Sequence, residues 1–430
     1  MKLRIFLRGR ILTFKHSPAG PSDETSYLYL EDGGIIIENE KIVKVGDFAQ
    51  IKSSQPNLKE TDYRPCLLMP GFIDVHNHFP QLPVIGSFGT QLLAWLQNYT
   101  FPEEAKYSNY VYSKKMARLF INTLLDHGTT TSVSFGSVHP QSVDALFAEA
   151  LRLNMCFVAG KVLMDRNAPK EVLDTPETAY DDSKKLIEKW HHKHRLKYAI
   201  SPRFAITSSP HQMEVAGALV QEYPSCFVQS HLAENVDEIK LTLSLYPKFK
   251  NYLDIYFAYG LTGPKTLLGH AIHLSSDEKL LMAQTKTVAV HCPTSNLFLG
   301  SGLFDLESLT KFGITSALAT DTGGGTSFSM LKTLDEAYKI QQLQNFCLNP
   351  LNALYWITLG NAKALGLELE IGTLDEGSFA DLIVLDSRAT SLSKHRMKTA
   401  SSLSEELFIL QTLGDDRAVK AVYLAGQKVI

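Results

Sequence analysis

From about residue 70 onward, the apolar positions of the chain come in short, near-continuous runs. Phe72–Val75, Thr130–Phe135, Cys156–Met164, Leu196–Ile200, Phe227–Gln229, Thr266–Gly269, Val288–Val290 and Ala317–Ala319 make eight such runs. Stretches with helical spacing separate them. A strand covered on both faces reads as continuous hydrophobic sequence, and strands alternating with helices predict a parallel sheet with helices over it. Eight such units predict a closed (β/α)8 TIM-type barrel. Ser113 is placed to cap a helix carrying Met116, Leu119, Phe120, Thr123 and Leu124 on one face, with Gly128 ending it. Another begins near Ser327, turns Leu331, Leu334, Ala337 and Tyr338 inward and stops before Asn349-Pro350.

The pattern before residue 70 differs. Leu3–Phe14 and Gly34–Val45 are β-rich, with Ser17-Pro18-Ala19-Gly20 and Asp32-Gly33-Gly34 as turn signals between them. β character returns after about residue 370, in Phe379–Asp386 and Val419–Ile430. The simplest arrangement pairs both chain ends in a small β-sandwich domain of residues 1–68 and 371–430, beside a catalytic barrel of residues 69–370. The polar stretch Ser387–Ser404 reads as a loop.

Composition narrows the function classes. The 430 residues are 44% hydrophobic, enough for a large core, and the 42 basic and 45 acidic residues leave a net charge of -3. No Lys/Arg block marks a nucleic-acid footprint. Five scattered cysteines without a CxxC pair suggest a reduced, cytoplasmic setting. The start MKLRIFLRGRILTF carries arginines among its apolar residues and no small-residue cleavage site. No segment reaches the roughly 18 apolar residues needed to span a bilayer. The expected partner is a small molecule, with neither nucleic acid nor membrane.

The candidate chemistry sits where such a barrel carries it, at the C-terminal ends of strands. His76 and His78 follow the first run, and side chains two apart on a strand share a face. Arg203 follows the fourth run, His231 the fifth, His270 the sixth, His291 the seventh and Asp321 the eighth. Imidazoles with one carboxylate suit Zn2+, with Fe2+ as the other option, better than Mg2+ or Ca2+. The expected ligands of one metal ion are His76, His78, His231 and Asp321, with a position left for water. A binuclear version would want a bridging lysine where Arg203 stands. Lys161 ends the third run instead and reads as structural.

Glu234 stands three residues after His231, a spacing that keeps both side chains on one face of a first helical turn. Alone it reads as a carboxylate favoured by the helix dipole; beside a metal ligand it reads as a general acid and base. His270 is either a fifth ligand or a hydrogen-bond donor to the reacting oxygen, and four filled ligand positions favour the donor. His191, His192 and His194 form a polar cluster on a helix, and His291 is a second-layer candidate. Gly323-Gly324-Gly325 lacks the spacing of a dinucleotide loop and reads as a flexible turn beside Asp321. The HxE…PCxxC pattern of cytidine-type zinc deaminases is missing.

Pro70-Gly71-Phe72-Ile73-Asp74-Val75-His76-Asn77-His78, together with His231, His270 and Asp321, resembles the amidohydrolase superfamily. The narrower resemblance is to its guanine deaminase family. It rests on His78-Phe79-Pro80-Gln81, on the segment from Leu92 through Trp95 to Tyr99-Thr100-Phe101-Pro102-Glu103-Glu104, and on Ser201-Pro202-Arg203-Phe204. It continues in His231-Leu232-Ala233-Glu234-Asn235, His291-Cys292-Pro293-Thr294-Ser295-Asn296, Thr320-Asp321-Thr322 and Leu413-Gly414-Asp415-Asp416-Arg417. Asn77 and Gly324-Gly325 depart from that family's pattern without touching a presumed ligand.

The resemblance implies hydrolysis of guanine to xanthine and ammonia, one zinc per subunit and a homodimer. Glu234, His270 and Asp321 would be catalytic: hydroxide activated by zinc attacks C2 while Glu234 delivers a proton to N3. An Arg fork matches the O6 and N7 acceptors of guanine. Arg203 is that candidate, with Gln81 as a second contact to the base edge. Phe204 and Trp95 would flank the ring, although Trp95 reads equally as a helix core residue. The alternatives are an aminohydrolase of another purine-like, pterin or triazine ring, and a non-catalytic scaffold on the same fold. A scaffold predicts missing ligands, and every expected position is filled.

Overall fold

The computed structural model describes residues 4–89 and 91–430. Leu3, the first residue of the first expected strand, lies outside them.

Among the described residues, sixteen strands form two sheets. In chain order they are β1 (Arg4–Phe14), β2 (Tyr27–Glu38), β3 (Lys41–Asp47), β4 (Glu60–Pro70), β5 (Phe72–His78), β6 (Thr129–Phe135), β7 (Cys156–Gly160) and β8 (Val162–Leu163). Then follow β9 (Leu196–Pro202), β10 (Phe227–Leu232), β11 (Thr266–His270), β12 (Val288–His291), β13 (Ser316–Leu318), β14 (Leu382–Leu385), β15 (Val419–Leu424) and β16 (Gln427–Lys428). The parallel series β5-β6-β7-β9-β10-β11-β12-β13 forms the barrel wall, and β8 extends the third run beside β9.

The seam between β5 and β13 is held at both ends. Asn361, the first residue of the short helix Asn361–Ala364, donates to the Ile73 and Leu318 carbonyls and accepts from Leu318 N–H. At the other end, Asp321 N–H donates to the His76 carbonyl at 2.8 Å, and His78 N–H to the Thr322 carbonyl at 3.0 Å. Barrel closure and the expected metal ligands therefore coincide. Inside the ring, Ile73, Val75, Val133, Val158, Ala199, Leu267, Val290 and Ala317 pack together, with Ala362, Leu365 and Ile371 plugging one end. Neighbours of opposite parity, such as Phe72, Ile200 and Leu268, face the helices instead.

The chain ends pair as expected, in one continuous seven-stranded sheet ordered β16-β15-β14-β4-β1-β2-β3. Cys66 and Leu68 face the small core of this sheet, while Leu67 and Met69 on the same strand face the barrel helices. A buried ion pair joins the two units: Arg195, at the root of β9, meets Asp381, just before β14, with Nη1 3.0 Å from Oδ1.

Several local expectations change. The helix expected from Ser113 spans Tyr110–Asp126 and is capped by Asn109. Ser113 is interior and bonds the Tyr107 carbonyl, while Leu119 points to solvent at 50% exposure. The later helix, Met330–Leu343, is capped by Ser329. Ser387–Ser404 contains a helix at Ser391–Arg396 with a Thr390/Ser393 capping box, and Ser402 caps the helix Leu403–Leu413. Side-chain capping by hydroxyls, not apolar periodicity, orders this stretch. The histidine cluster lies past its helix, which ends at Trp190; His192 and His194 have φ of 61° and 54°.

Candidate active site

Strand geometry brings the four expected metal ligands to one end of the barrel. His76 and His78 project from β5 with ring centroids 5.4 Å apart. His231 from β10 places Nε2 3.1 Å from His78 Nε2. Asp321 Oδ1 lies 3.5 Å from His76 Nε2 and 3.3 Å from His78 Nε2. A tetrahedral ion with ligand distances of about 2.0–2.2 Å needs donors about 3.3–3.6 Å apart. The two Asp321 separations fall in that range, and the His78–His231 pair, at 3.1 Å, is slightly closer. Both His76 ring nitrogens are buried without a hydrogen-bond partner, as unclaimed metal donors would be.

The packing around these donors sets their orientation. His231 Nδ1 bonds the Arg203 carbonyl at 2.7 Å, which fixes the tautomer and leaves Nε2 with its lone pair inward. The His76 ring lies against Gly269, where a Cβ would come within 2.5 Å of its Cε1. Within β5, buried Asp74 accepts from Thr320 N–H, Thr320 Oγ1 and Asn77 Nδ2, so Asn77 is part of the support under the expected ligands. Burial lowers the His78 imidazole to about 4, and burial with neighbouring histidines takes His231 well below its ordinary value. Both are neutral at pH 7, the form that ligates. Burial opposes ionisation of Asp321, but the His76 and His78 imidazoles beside it hold it well below the usual carboxylate range.

A second set of donors also converges: His76, His270, Cys292 and Asp321. Cys292 was not anticipated there. Burial pushes its thiol well above its ordinary value, and its sulfur bonds only weakly, at 3.7 Å, to the Val290 carbonyl. A protonated thiol is a poor ligand, so the three-histidine set is the better metal centre.

Glu234 arrives by another route than the helical turn expected. His231 lies on β10, and the next helix starts only at Val236. Between them Ala233 takes φ of 49°, and this bend swings Glu234 back toward the site. Its Oε2 is 3.4 Å from His270 Nε2, and its Oε1 accepts from Ser301 Oγ at 2.8 Å. Burial first, then the Asp321 charge, pushes the Glu234 carboxyl up to about 8. A carboxyl poised near neutrality suits proton transfer.

His270 has φ of 72°, and its Nδ1 is 2.8 Å from Asn296 Oδ1. With Asn296 accepting, a neutral His270 presents a lone pair at Nε2; an Nε2–H needs the charged ring or a turned amide. His291, by contrast, stacks on Phe304 at 4.4 Å away from the ligand cluster. Lys161 is buried and paired with Asp174, the structural role expected.

The cavity over these groups is lined by Gln81, Trp95, Arg203 and Phe204, with Leu92, Leu96 and Leu299. The four residues expected to contact substrate thus line one cavity with His78, His231 and Asp321. Glu104, not anticipated as a site residue, sits behind two of them: Arg203 Nη1 reaches both its oxygens, at 2.9 and 3.0 Å, and Gln81 Nε2 reaches Oε1 at 3.2 Å. The triple glycine is a tight turn, not a flexible one. Gly323 has φ of 120°, and a Cβ there would lie 2.2 Å from Gln81 Oε1.

Similarity to known proteins covers nearly the whole chain. It is 46% identical to the guanine deaminase of Escherichia coli (strain K12) over 425 residues, 98% of this chain and 97% of that protein. The solved E. coli guanine deaminase superposes with a TM-score of 0.97 at 45% identity, covering 99% of each chain. The guanine deaminase of C. acetobutylicum, solved with bound guanine in the active site, gives 0.90 at 30% identity over the full length of both. The model of the Amidohydrolase family matches residues 67–429, so this chain belongs to the amidohydrolase family.

Proposed function

We propose that this protein is a guanine deaminase, hydrolysing guanine to xanthine and ammonia. One observation carries the assignment beyond similarity: Arg203 and Gln81 face the same small cavity as His78, His231, Glu234 and Asp321. A base-edge reader and a hydrolytic centre thus share one chamber.

His76, His78, His231 and Asp321 would hold a single zinc ion, whose contribution is to lower the pKa of a water from 15.7 to about 7. The remaining work falls to the protein. Arg203 and Gln81 grip the oxo side of the ring and turn C2 toward the ligands. Phe204 and Trp95 flank the cavity and keep the base planar and dry. Glu234 takes a proton from the attacking water and delivers it to N3 as C2 becomes tetrahedral. It then takes the proton of the hydroxyl just added at C2, which becomes the new carbonyl, and passes it to the departing amine, which leaves as ammonia. Asp321 and His270 steady the oxygen being added.

In this reading the barrel of residues 69–370 is the catalytic unit, and residues 1–68 with 371–430 form the supporting β domain. The protein works in the cytoplasm as a homodimer. The test incubates purified protein with guanine, guanosine, adenine and cytosine, and follows ammonia beside metal content. Release from guanine alone, with one zinc per chain, is the expected result. Zinc-loaded protein that leaves guanine intact would refute the assignment.

A further inference from the structure

The buried carboxylate of Glu104 has no place in the proton transfers above, yet it is bound by the two side chains that face the substrate edge. Glu104, Gln81 and Arg203 are each at most 3% exposed. A carboxylate accepts hydrogen bonds and donates none. Gln81 must therefore turn its NH2 toward Glu104, at 3.2 Å, which sends its carbonyl oxygen the other way. That oxygen, Oε1, is buried and has no hydrogen-bond partner, while Gln81 lines the cavity. Arg203 meanwhile spends only Nη1 on Glu104 among the described residues, and its remaining donors stay free. Glu104 thus fixes one acceptor and one donor group side by side. It also neutralises Arg203, so the cavity suits an uncharged ring.

We propose that Glu104 is a specificity-determining positioning residue, which locks Gln81 as an acceptor and Arg203 as a donor so that the site reads the N1–H and C6=O edge of an oxo-purine. This rests on the guanine deaminase reading. A ring with 6-amino and bare N1 presents the inverse pattern, donor opposite donor and acceptor opposite acceptor. A buried oxygen left facing a lone pair gains nothing for its desolvation, which is how a polar site rejects a near-isostere. In Glu104→Gln the new amide can both donate and accept, so Gln81 is free to turn either way.

The experiment compares guanine with 2,6-diaminopurine, which carries the same 2-amino leaving group and the inverted edge. For the wild type, kcat/KM should favour guanine by a factor on the order of 10^3 or more. Glu104→Gln should lower kcat/KM for guanine and shrink that ratio at least about ten-fold, mainly through KM, with zinc content unchanged. An unchanged ratio in a zinc-loaded variant overturns the proposal. If Glu104→Gln does not fold, Gln81→Met decides: it should penalise guanine at least about ten-fold more than 2,6-diaminopurine, and equal losses overturn the proposal. A wild type inert toward guanine would instead sink the activity itself, a distinct outcome.

Discussion

The Ser301 hydroxyl donates to Glu234 Oε1 at 2.8 Å, leaving Oε2 as the oxygen turned toward His270. The helix Pro293–Phe298 and the loop after it anchor both partners together, because Ser301 N–H donates to the Asn296 carbonyl and Asn296 Oδ1 pairs with His270 Nδ1. A proton carrier held on one oxygen keeps the other aimed at the reacting atoms. Ser301→Ala should therefore lower kcat about ten-fold, equivalent to about 1.4 kcal/mol, with KM and zinc content unchanged. Ser301→Thr restores the hydroxyl and should recover most of the loss. Steady-state kinetics on both variants check this, and equal defects would mean that Ser301 matters only for packing.

Gly323 presses against Gln81 from the other side. An alanine Cβ would sit 2.3 Å from Gln81 Cβ, and φ of 120° disfavours any L side chain. Gly323→Ala should push Gln81 out of place and raise KM for guanine about ten-fold or more, while zinc stoichiometry holds. Titration of substrate against metal-replete variant tests it, and an unchanged KM contradicts the contact.

The difference between these residues and the metal set explains what was legible in the chain. His76 and His78 announce themselves because a two-residue spacing on a strand dictates a shared face. Asp321 and His231 follow from strand ends in a barrel. Glu104 and Ser301 act on Arg203 and Glu234 across 99 and 67 residues, from the end of the four-residue helix Phe101–Glu104 and from a loop, neither placed by a local periodicity. Glu234 itself was identifiable by type and neighbourhood, but its route was not: the bend at Ala233 replaces the helical turn that its spacing suggested. Cap-driven segments failed for a similar reason. Thr390 and Ser393 order a helix in a stretch with too few apolar residues to reveal one.

Burial lowers the His291 imidazole to about 3, and the ring stacks on Phe304. In the unfolded chain it would titrate near 6.5. Below that pH the unfolded state takes up a proton that the native state refuses, so stability falls as pH drops through the window from about 6.5 to 3. Between pH 7 and 5 this one group should cost about 2 kcal/mol. His291→Phe, whatever its stability at pH 7, should show a shallower loss on acidification. Denaturant melts of zinc-loaded wild type and variant at both pH values measure the two slopes; parallel slopes would remove His291 from acid sensitivity.

Arg195 and Asp381 tie the catalytic barrel to the sheet made from both chain ends, and both are buried. Asp381 also accepts from Ala425 N–H at 2.8 Å, and its carbonyl takes Gly71 N–H, at the link between β4 and β5. Asp381→Ala would strand a buried guanidinium as well as one backbone donor. Removing one partner of such a pair typically costs about 3–5 kcal/mol, far more than the pair contributes over an apolar replacement. The expected result is a marked fall in melting temperature with kcat and KM unchanged in the protein that stays folded, because β5 carries His76 and His78 at its far end from this junction. A double change, Arg195→Met with Asp381→Leu, should recover much of the stability. Thermal melts of the single and double variants decide it: a double variant no more stable than Asp381→Ala would mean that the charge itself, not its loneliness, holds the two units together.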